Sequence, residues 1–228
     1  MRLILASASP RRKDILTRLG YKFDVISADI KENTLKKRPH AKVMDIALKK
    51  AFSVAALYPG AVVIGGDTIV YCKGEVLGKP KDKKDALRLL NKENGSWQSV
   101  YSGLAIVCKD KNKILTGYDV TKCKARKLDK STLEELSGKH LDKAGAYAMQ
   151  DKDDMFIERF EGSADNVVGF PSELFLEMIK EFENDENRYS YYRRGPGGLR
   201  CGGLYFKGRF KDGYARWKFP RRTAFANQ

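Results

Sequence analysis

Strands and helices that alternate along most of the chain predict an α/β fold, a mixed central sheet flanked by helices. Three observations carry that expectation. A short apolar segment at the N-terminus runs through a proline-marked loop into a helix, a long apolar run follows at Ala61–Cys72, and two strand-like segments at 99–107 and 113–124 are joined by a polar turn. With 228 residues, one core domain plus an extension is the expected organisation.

The first strand is expected at 2–6, followed by Ser9-Pro10-Arg11-Arg12 and an apolar pattern at Ile15, Leu16 and Leu19. Ser9 suits the cap of that helix. Pro10 suits its first position, where no amide hydrogen is needed, and Gly20 suits the left-handed residue beyond its end. Alternation from Tyr21 to Val25 has the period of a half-buried second strand. Pro39 opens a helix that carries Val43, Ile46, Ala47 and Ala51 on one side and stops near Tyr58-Pro59-Gly60. The buried strand after it ends in the tight turn Lys73-Gly74-Glu75, and a helix is expected over 82–91. Ser131-Thr132-Leu133-Glu134 has the spacing of a capping box, 155–160 that of a late strand, and 171–182 that of a closing helix.

Composition removes several kinds of chemistry. Two histidines, His40 and His140, leave little for an imidazole-based triad or metal site, and four widely spaced cysteines show neither CxxC pairs nor a disulfide pattern. Carboxylates, lysines and arginines must therefore carry the chemistry. No apolar run approaches the roughly 20 residues of a spanning helix, and Pro10, Arg11 and Arg12 interrupt the N-terminus before a signal-peptide core forms. The cytoplasm is the expected setting.

The net charge of +15 is unevenly placed. Residues 1–186 hold 33 Lys and Arg against 28 Asp and Glu, whereas 187–228 hold 11 against 1. The tail is rich in arginine, glycine and tyrosine, and it divides the chain into a domain at 1–183 and a basic extension at 184–228, expected to be poorly ordered. Arginine with aromatic residues is also the composition of an RNA-binding tail, so a nucleic-acid-binding or regulatory role is the alternative function. A sequence joined out of frame would give the same shift.

A polyphosphate site needs cations for oxygens, carboxylates for a hard metal and a base for water. Arg11 and Arg12 stand at the mouth of the first helix, where free amides and the helix dipole favour an anion; a solvated basic face is the other reading. Asp67 interrupts a buried strand, where an unpaired charge is costly, so it needs either a functional partner or backbone donors. Gly65-Gly66 before it allow tight packing or a ligand's approach. Lys79, aimed by Pro80, and Lys50 each suit a phosphate, or plain solvation.

These residues lie in blocks similar to the Maf family of nucleotide pyrophosphatases over about residues 2–183. The blocks are LASASPRRKDIL at 5–16, GDTIVYCKGEVLGKPKD at 66–82, DKAGAYAMQ at 142–150 and GSADNVVGFP at 162–171, in matching order and spacing. The resemblance implies an elongated α/β fold with a substrate cleft, similar to inosine triphosphate pyrophosphatases. It also implies hydrolysis of a nucleoside triphosphate to monophosphate and pyrophosphate, a divalent cation such as Mg or Mn, and a homodimer. By resemblance Asp67 is the catalytic proton acceptor, Glu32 its partner carboxylate in holding metal, and Arg11, Arg12, Lys50 and Lys79 the phosphate ligands. Arg11, Thr68 and Gln150 resemble the dTTP/UTP subgroup, where the subgroup acting on 7-methyl-GTP has Trp, Gln and Glu. A glutamine amide both donates to and accepts from a pyrimidine edge. Gln98 and Ser102 depart from the pattern, since members often carry histidine and threonine there.

Overall fold

The computed structural model describes residues 1–147 and 156–183 in full, and the backbone alone of 189–195 and 198–201. In chain order the elements are β1 (Leu3–Leu5), α1 (Pro10–Arg18), β2 (Asp24–Val25), α2 (Pro39–Ala55), β3 (Val62–Cys72), β4 (Glu75–Leu77) and α3 (Lys83–Glu93). There follow β5 (Trp97–Cys108), β6 (Lys113–Ala125), α4 (Lys130–Leu136), a 3-10 turn (Ala144–Ala146), β7 (Ile157–Glu161), α5 (Ala164–Val168) and α6 (Ser172–Glu183). β8 (Tyr189–Gly195) and β9 (Gly198–Cys201) lie in the extension.

β3, β5 and β6 form an antiparallel centre. Strands of 11 to 13 residues rising about 3.4 Å each give the molecule a spine about 40 Å long. The full order is β2-β1-β3-β5-β6-β8-β9, with β4 added to β3 and β7 to β6. β1 runs parallel to β3 and β8 parallel to β6, so the sheet is mixed. β5 occupies one edge of β3. The other edge is divided: β1 pairs at Val62–Ile64 and β4 at Val70–Cys72, leaving 65–69 without a neighbouring strand among the described residues.

Alternation along these strands feeds separate cores. On one face α2 packs Ala47, Ala51 and Val54 against Ile4, Val63, Ala105 and Val107. On the other face, α1 and α6 cover one end through Leu16, Phe175 and Met178 against Ile64, Leu104 and Ile106. α3 and α4 cover the far end of that same face through Leu89, Leu90 and Leu133 against Val70, Val100 and Cys123. A cleft opens at the gap in the β3 edge, lined by α1 from one face and by α2 from the other.

Two glycines set the closeness of α2. A Cβ on Gly65 would fall on the carbonyl oxygen of Ala47 and 2.8 Å from the amide of Ala51; one on Gly103 would lie 2.5 Å from the Val43 carbonyl. Both neighbours are helix backbone, which cannot swing away. Tight packing is therefore the structural reason for Gly65.

Some local expectations change. Between 21 and 25 only Asp24 and Val25 pair with β1, and both are exposed. The alternation there reflects Tyr21 and Phe23 packing on the α1/α6 core, with the Tyr21 ring edge-on to Phe175 at 5.0 Å. Ser9 holds the cap position of α1 but makes no side-chain cap bond. α4 is capped by Asp129 and not by Ser131: its carboxylate accepts from the Thr132 amide and from the Ser131 hydroxyl. The helix after Pro39 ends at Ala55, ahead of the expected turn. In the extension, the backbone of β8 pairs with Ile114–Tyr118 of β6 and β9 folds back on β8, where no ordered structure was expected.

One buried group conflicts with its surroundings. Glu93, fully buried at the end of α3, has neither carboxyl oxygen bonded, and burial raises its pKa well above the ordinary value. A carboxyl raised in the folded state stabilises fully below its unfolded pKa, about 4.3, and that contribution is lost as pH rises towards the folded value.

Two measurements check this packing. Gly65→Ala is expected to cost about 3 kcal/mol and lower Tm by about 10 °C; an unchanged Tm by calorimetry would refute the close approach of α2. Glu93→Gln is expected to gain Tm relative to the parent progressively between pH 5 and pH 8, and a difference independent of pH would mean that Glu93 does not titrate in the folded protein.

Candidate active site

The unpaired stretch of β3 is where charged groups gather. Asp67 lies in its middle, only 6% exposed, and its carboxylate accepts a hydrogen bond of 3.1 Å from Lys50 Nζ. Lys50 comes from α2, which Gly65, two residues before Asp67, lets lie close against β3. The same ammonium lies 2.7 Å from Glu32, in the loop before α2. Two acidic groups thus share one buried cation. Their environments differ: burial raises the pKa of Asp67 despite the opposing charges of Lys50 and Arg12. For Glu32 burial acts in the same direction, but the hydrogen bond and charge of Lys50, with Lys79 and Arg12, more than offset it and leave the group below its usual range.

Arg12, in the first turn of α1, reaches under β3. A Cβ on Gly66 would stand 3.3 Å from its Nε, so the second glycine of the pair makes room for this side chain. The guanidinium donates to the Gly169 carbonyl at 3.0 Å, the Ser7 hydroxyl at 3.0 Å and the Thr68 hydroxyl at 3.2 Å. Desolvation lowers its pKa, with Asp67 and Glu32 opposing; a guanidinium remains charged throughout. Arg11 instead points across the cleft mouth, 3.1 Å from Asp142. Burial acts against ionisation of Asp142, but hydrogen bonds from Lys143 and Arg11 bring its pKa down to about 2. Lys79 is exposed and lines the cleft beside Gly78.

The cleft encloses about 740 Å³. Among its lining residues six cations, Arg11, Arg12, Lys42, Lys50, Lys79 and Lys143, face three carboxylates, so the space favours a multiply charged anion. Ser9, Pro10 and Arg11 bring the amide-rich start of α1 to the same wall. Away from these charges the lining turns apolar, with Val70, Val76, Val100, Val167 and Tyr147. A cationic end joined to an apolar end is the division a nucleotide needs, phosphates at one and base at the other.

The Maf-like protein family model matches residues 2–182. This chain belongs to the Maf family. Over 182 residues it is 64% identical to a dTTP/UTP pyrophosphatase of Elusimicrobium minutum, covering 80% of this chain and 99% of that protein. It is 39% identical over 183 residues to a dTTP/UTP pyrophosphatase of Aquifex aeolicus, covering 79% and 95%. The solved structure of the Staphylococcus aureus Ham1 protein shares 12% identity with a TM-score of 0.46, covering 80% of this chain and all of that one.

Of the residues that resemble Maf site positions, Glu32, Asp67, Lys50, Arg11, Arg12, Thr68 and Lys79 all line one cleft. Gln150 lies outside the described residues. Gln98 is buried but does not line the cleft, and Ser102 stands behind Thr68 with their hydroxyls 2.9 Å apart. Sequence reasoning missed Ser7, Asp142, Asn166 and Gly169 as parts of the site. All four sit inside the Maf-like blocks, which was the available signal; what they touch depends on chain crossings that no local pattern encodes.

Proposed function

We propose that this protein hydrolyses dTTP and UTP to the nucleoside monophosphate and pyrophosphate, with Asp67 as the general base. The supporting observation is the pair of carboxylates, Glu32 and Asp67, meeting at Lys50 inside a cleft of excess positive charge. The named activity of the Elusimicrobium minutum and Aquifex aeolicus relatives over nearly their whole lengths agrees with it. The family match ends at residue 182, before the basic tail, which favours hydrolysis over a nucleic-acid-binding role as the chain's main activity.

In this reading the charged end of the cleft takes the phosphates and the apolar end the pyrimidine. Asp67 withdraws a proton from water as the water oxygen bonds to the α-phosphorus. The bond from that phosphorus to the α–β bridging oxygen breaks, and its electron pair leaves on pyrophosphate. Arg12, Lys50, Lys79 and the start of α1 hold the oxygens on which charge collects. Arg11, Thr68 and Gln150 belong to the same reading as the residues that select the pyrimidine.

Glu32 and Asp67 fit a divalent cation: they offer hard oxygen donors, and Mg²⁺ commonly takes one or two carboxylates and completes its shell with water and phosphate. No cluster of three or more acidic, histidine or cysteine ligands exists among the described residues, which suits a cation shared with substrate. Such a cation supplies charge neutralisation on phosphate oxygens. No helix among the described residues is long and apolar enough to cross a membrane; a cytoplasmic setting and a homodimer belong to the proposal.

The test is a panel of nucleoside triphosphates with Mg²⁺ or Mn²⁺, read as pyrophosphate against orthophosphate. UTP and dTTP should give pyrophosphate, and orthophosphate as first product would reject the bond assignment. Asp67→Asn should lower kcat by roughly 10² to 10⁴; near-normal metal-dependent turnover would remove Asp67 as base. Because a base acts deprotonated and burial raises this carboxyl, kcat/KM should fall as pH drops through a value above the ordinary aspartate pKa of about 3.9. A plateau reaching down to that ordinary value would contradict the assignment.

A further inference from the structure

The block GSADNVVGFP supplies no charged side chain to the chemistry described so far, yet it holds one of the most completely buried polar side chains. Asn166 is 0% exposed. Its amide donates to the Val100 carbonyl of β5 at 3.2 Å and to the Thr121 hydroxyl of β6 at 2.9 Å. The backbone carbonyl of Asn166 accepts from the Ser102 hydroxyl of β5 at 3.2 Å. Ser163 adds a further tie: its backbone amide donates to Thr121 Oγ1, and that hydroxyl returns a bond to the Ser163 carbonyl. α5 has only five residues and cannot hold a position by its own helical bonds. These ties seat it on the centre of the sheet.

Three residues further on, Gly169 ends α5 in the left-handed region at φ 115°, and its amide bonds back to Asp165 and Asn166. That turn directs the Gly169 carbonyl at Arg12 Nε and at the Thr68 hydroxyl, 3.0 and 3.3 Å away. Of the five guanidinium hydrogens, three are therefore fixed by Gly169, Ser7 and Thr68. The planar fork has one hydrogen left on each terminal nitrogen.

We propose that Asn166 is a positioning residue: by anchoring α5 to β5 and β6 it fixes the Gly169 carbonyl, which aims the free hydrogens of Arg12 at substrate phosphate. The inference rests on the reading of Arg12 as a phosphate ligand. Ser102 takes part from beneath, linking the Thr68 hydroxyl to the Asn166 backbone carbonyl, so two of the three acceptors on Arg12, Thr68 and Gly169, are braced from one place on the sheet. A fork held from three directions needs no reordering when the triphosphate arrives, and small misplacements of such groups are costly to rate.

The test is a double-mutant cycle of Asn166→Ala with Arg12→Lys. It is read as kcat/KM for UTP and as Kd for α,β-methylene-UTP, so that slow variants remain measurable. Lysine keeps the charge but has no fork to aim. Asn166→Ala alone should lower kcat/KM and weaken analogue binding by roughly 10- to 100-fold, and in the Arg12→Lys background it should add less than about 2-fold. An equal loss in both backgrounds overturns the positioning role, as does a folded Asn166→Ala protein with unchanged kcat/KM and Kd. If Arg12→Lys itself changes neither readout, the phosphate reading of Arg12 fails, and the proposal with it. Should Asn166→Ala not fold, Ser102 carries the same cycle. Ser102→Ala should lose roughly 3- to 10-fold, the worth of one hydrogen bond, while Ser102→Thr, which keeps the hydroxyl, should retain parent values. Equal behaviour of the two Ser102 variants, or a Ser102→Ala loss undiminished beside Arg12→Lys, would overturn it.

Discussion

A lysine ammonium that is almost wholly buried must be surrounded by opposite charge, and at Lys50 this requirement organises the protein around it. Its partners Asp67 and Glu32 lie 3.1 and 2.7 Å away, one from β3 and one from the loop before α2. Breaking such a buried arrangement by removing one member strands the others, which costs far more than the intact group contributes. α2 must therefore lie close enough to β3 for Lys50 to reach Asp67. Gly65 and Gly103 provide that closeness by leaving room for helix backbone. The open edge of β3 follows from the same geometry, since a strand paired along 65–69 would occupy the space from which Asp67 is reached.

The fold was largely legible because its elements announce themselves locally. Pro10 and Pro39 open helices, the run after Gly60 is a buried strand, and Lys73-Gly74 turn it back into β4 with both residues at positive φ. The failures are also local in origin. Tyr21 and Phe23 alternate because they pack against α6, and Ser131 is outcompeted as a cap by Asp129, two residues earlier. The site was legible only in part. A carboxylate in an apolar strand signals that a cation must be near, but nothing in the spacing of Lys50 and Asp67 says that they touch. The same holds for Arg12: its place at a helix start suggested an anion, whereas its three protein acceptors come from residues 7, 68 and 169 and required the fold.

The extension stands apart from this construction. Its described backbone joins the sheet beyond β6, while the cleft opens at the far edge of β3, with β5 and β6 between them. An exposed strand edge invites pairing with other chains, and β8 covers Ile114–Tyr118 of β6 along that edge. The positive character of the cleft comes from lysines and arginines of the first 143 residues.

The two carboxylates at Lys50 are not equivalent, and the difference follows from depth. The Glu32 side chain is 58% exposed and Asp67's 8%, although both meet the same ammonium. Burial raises the Glu32 pKa by less than the hydrogen bond and charge of Lys50, with Lys79 and Arg12, lower it; for Asp67 desolvation exceeds what Lys50 and Arg12 return. One fold thereby yields an acid that stays ionised and a neighbour more ready to take a proton. Paired groups pushed in opposite directions are the arrangement that separates a charge-holding role from a proton-accepting one. The separation follows from placement: the loop carrying Glu32 stays half-open to solvent among Lys50, Lys79 and Arg12, while β3 carries Asp67 beneath α2.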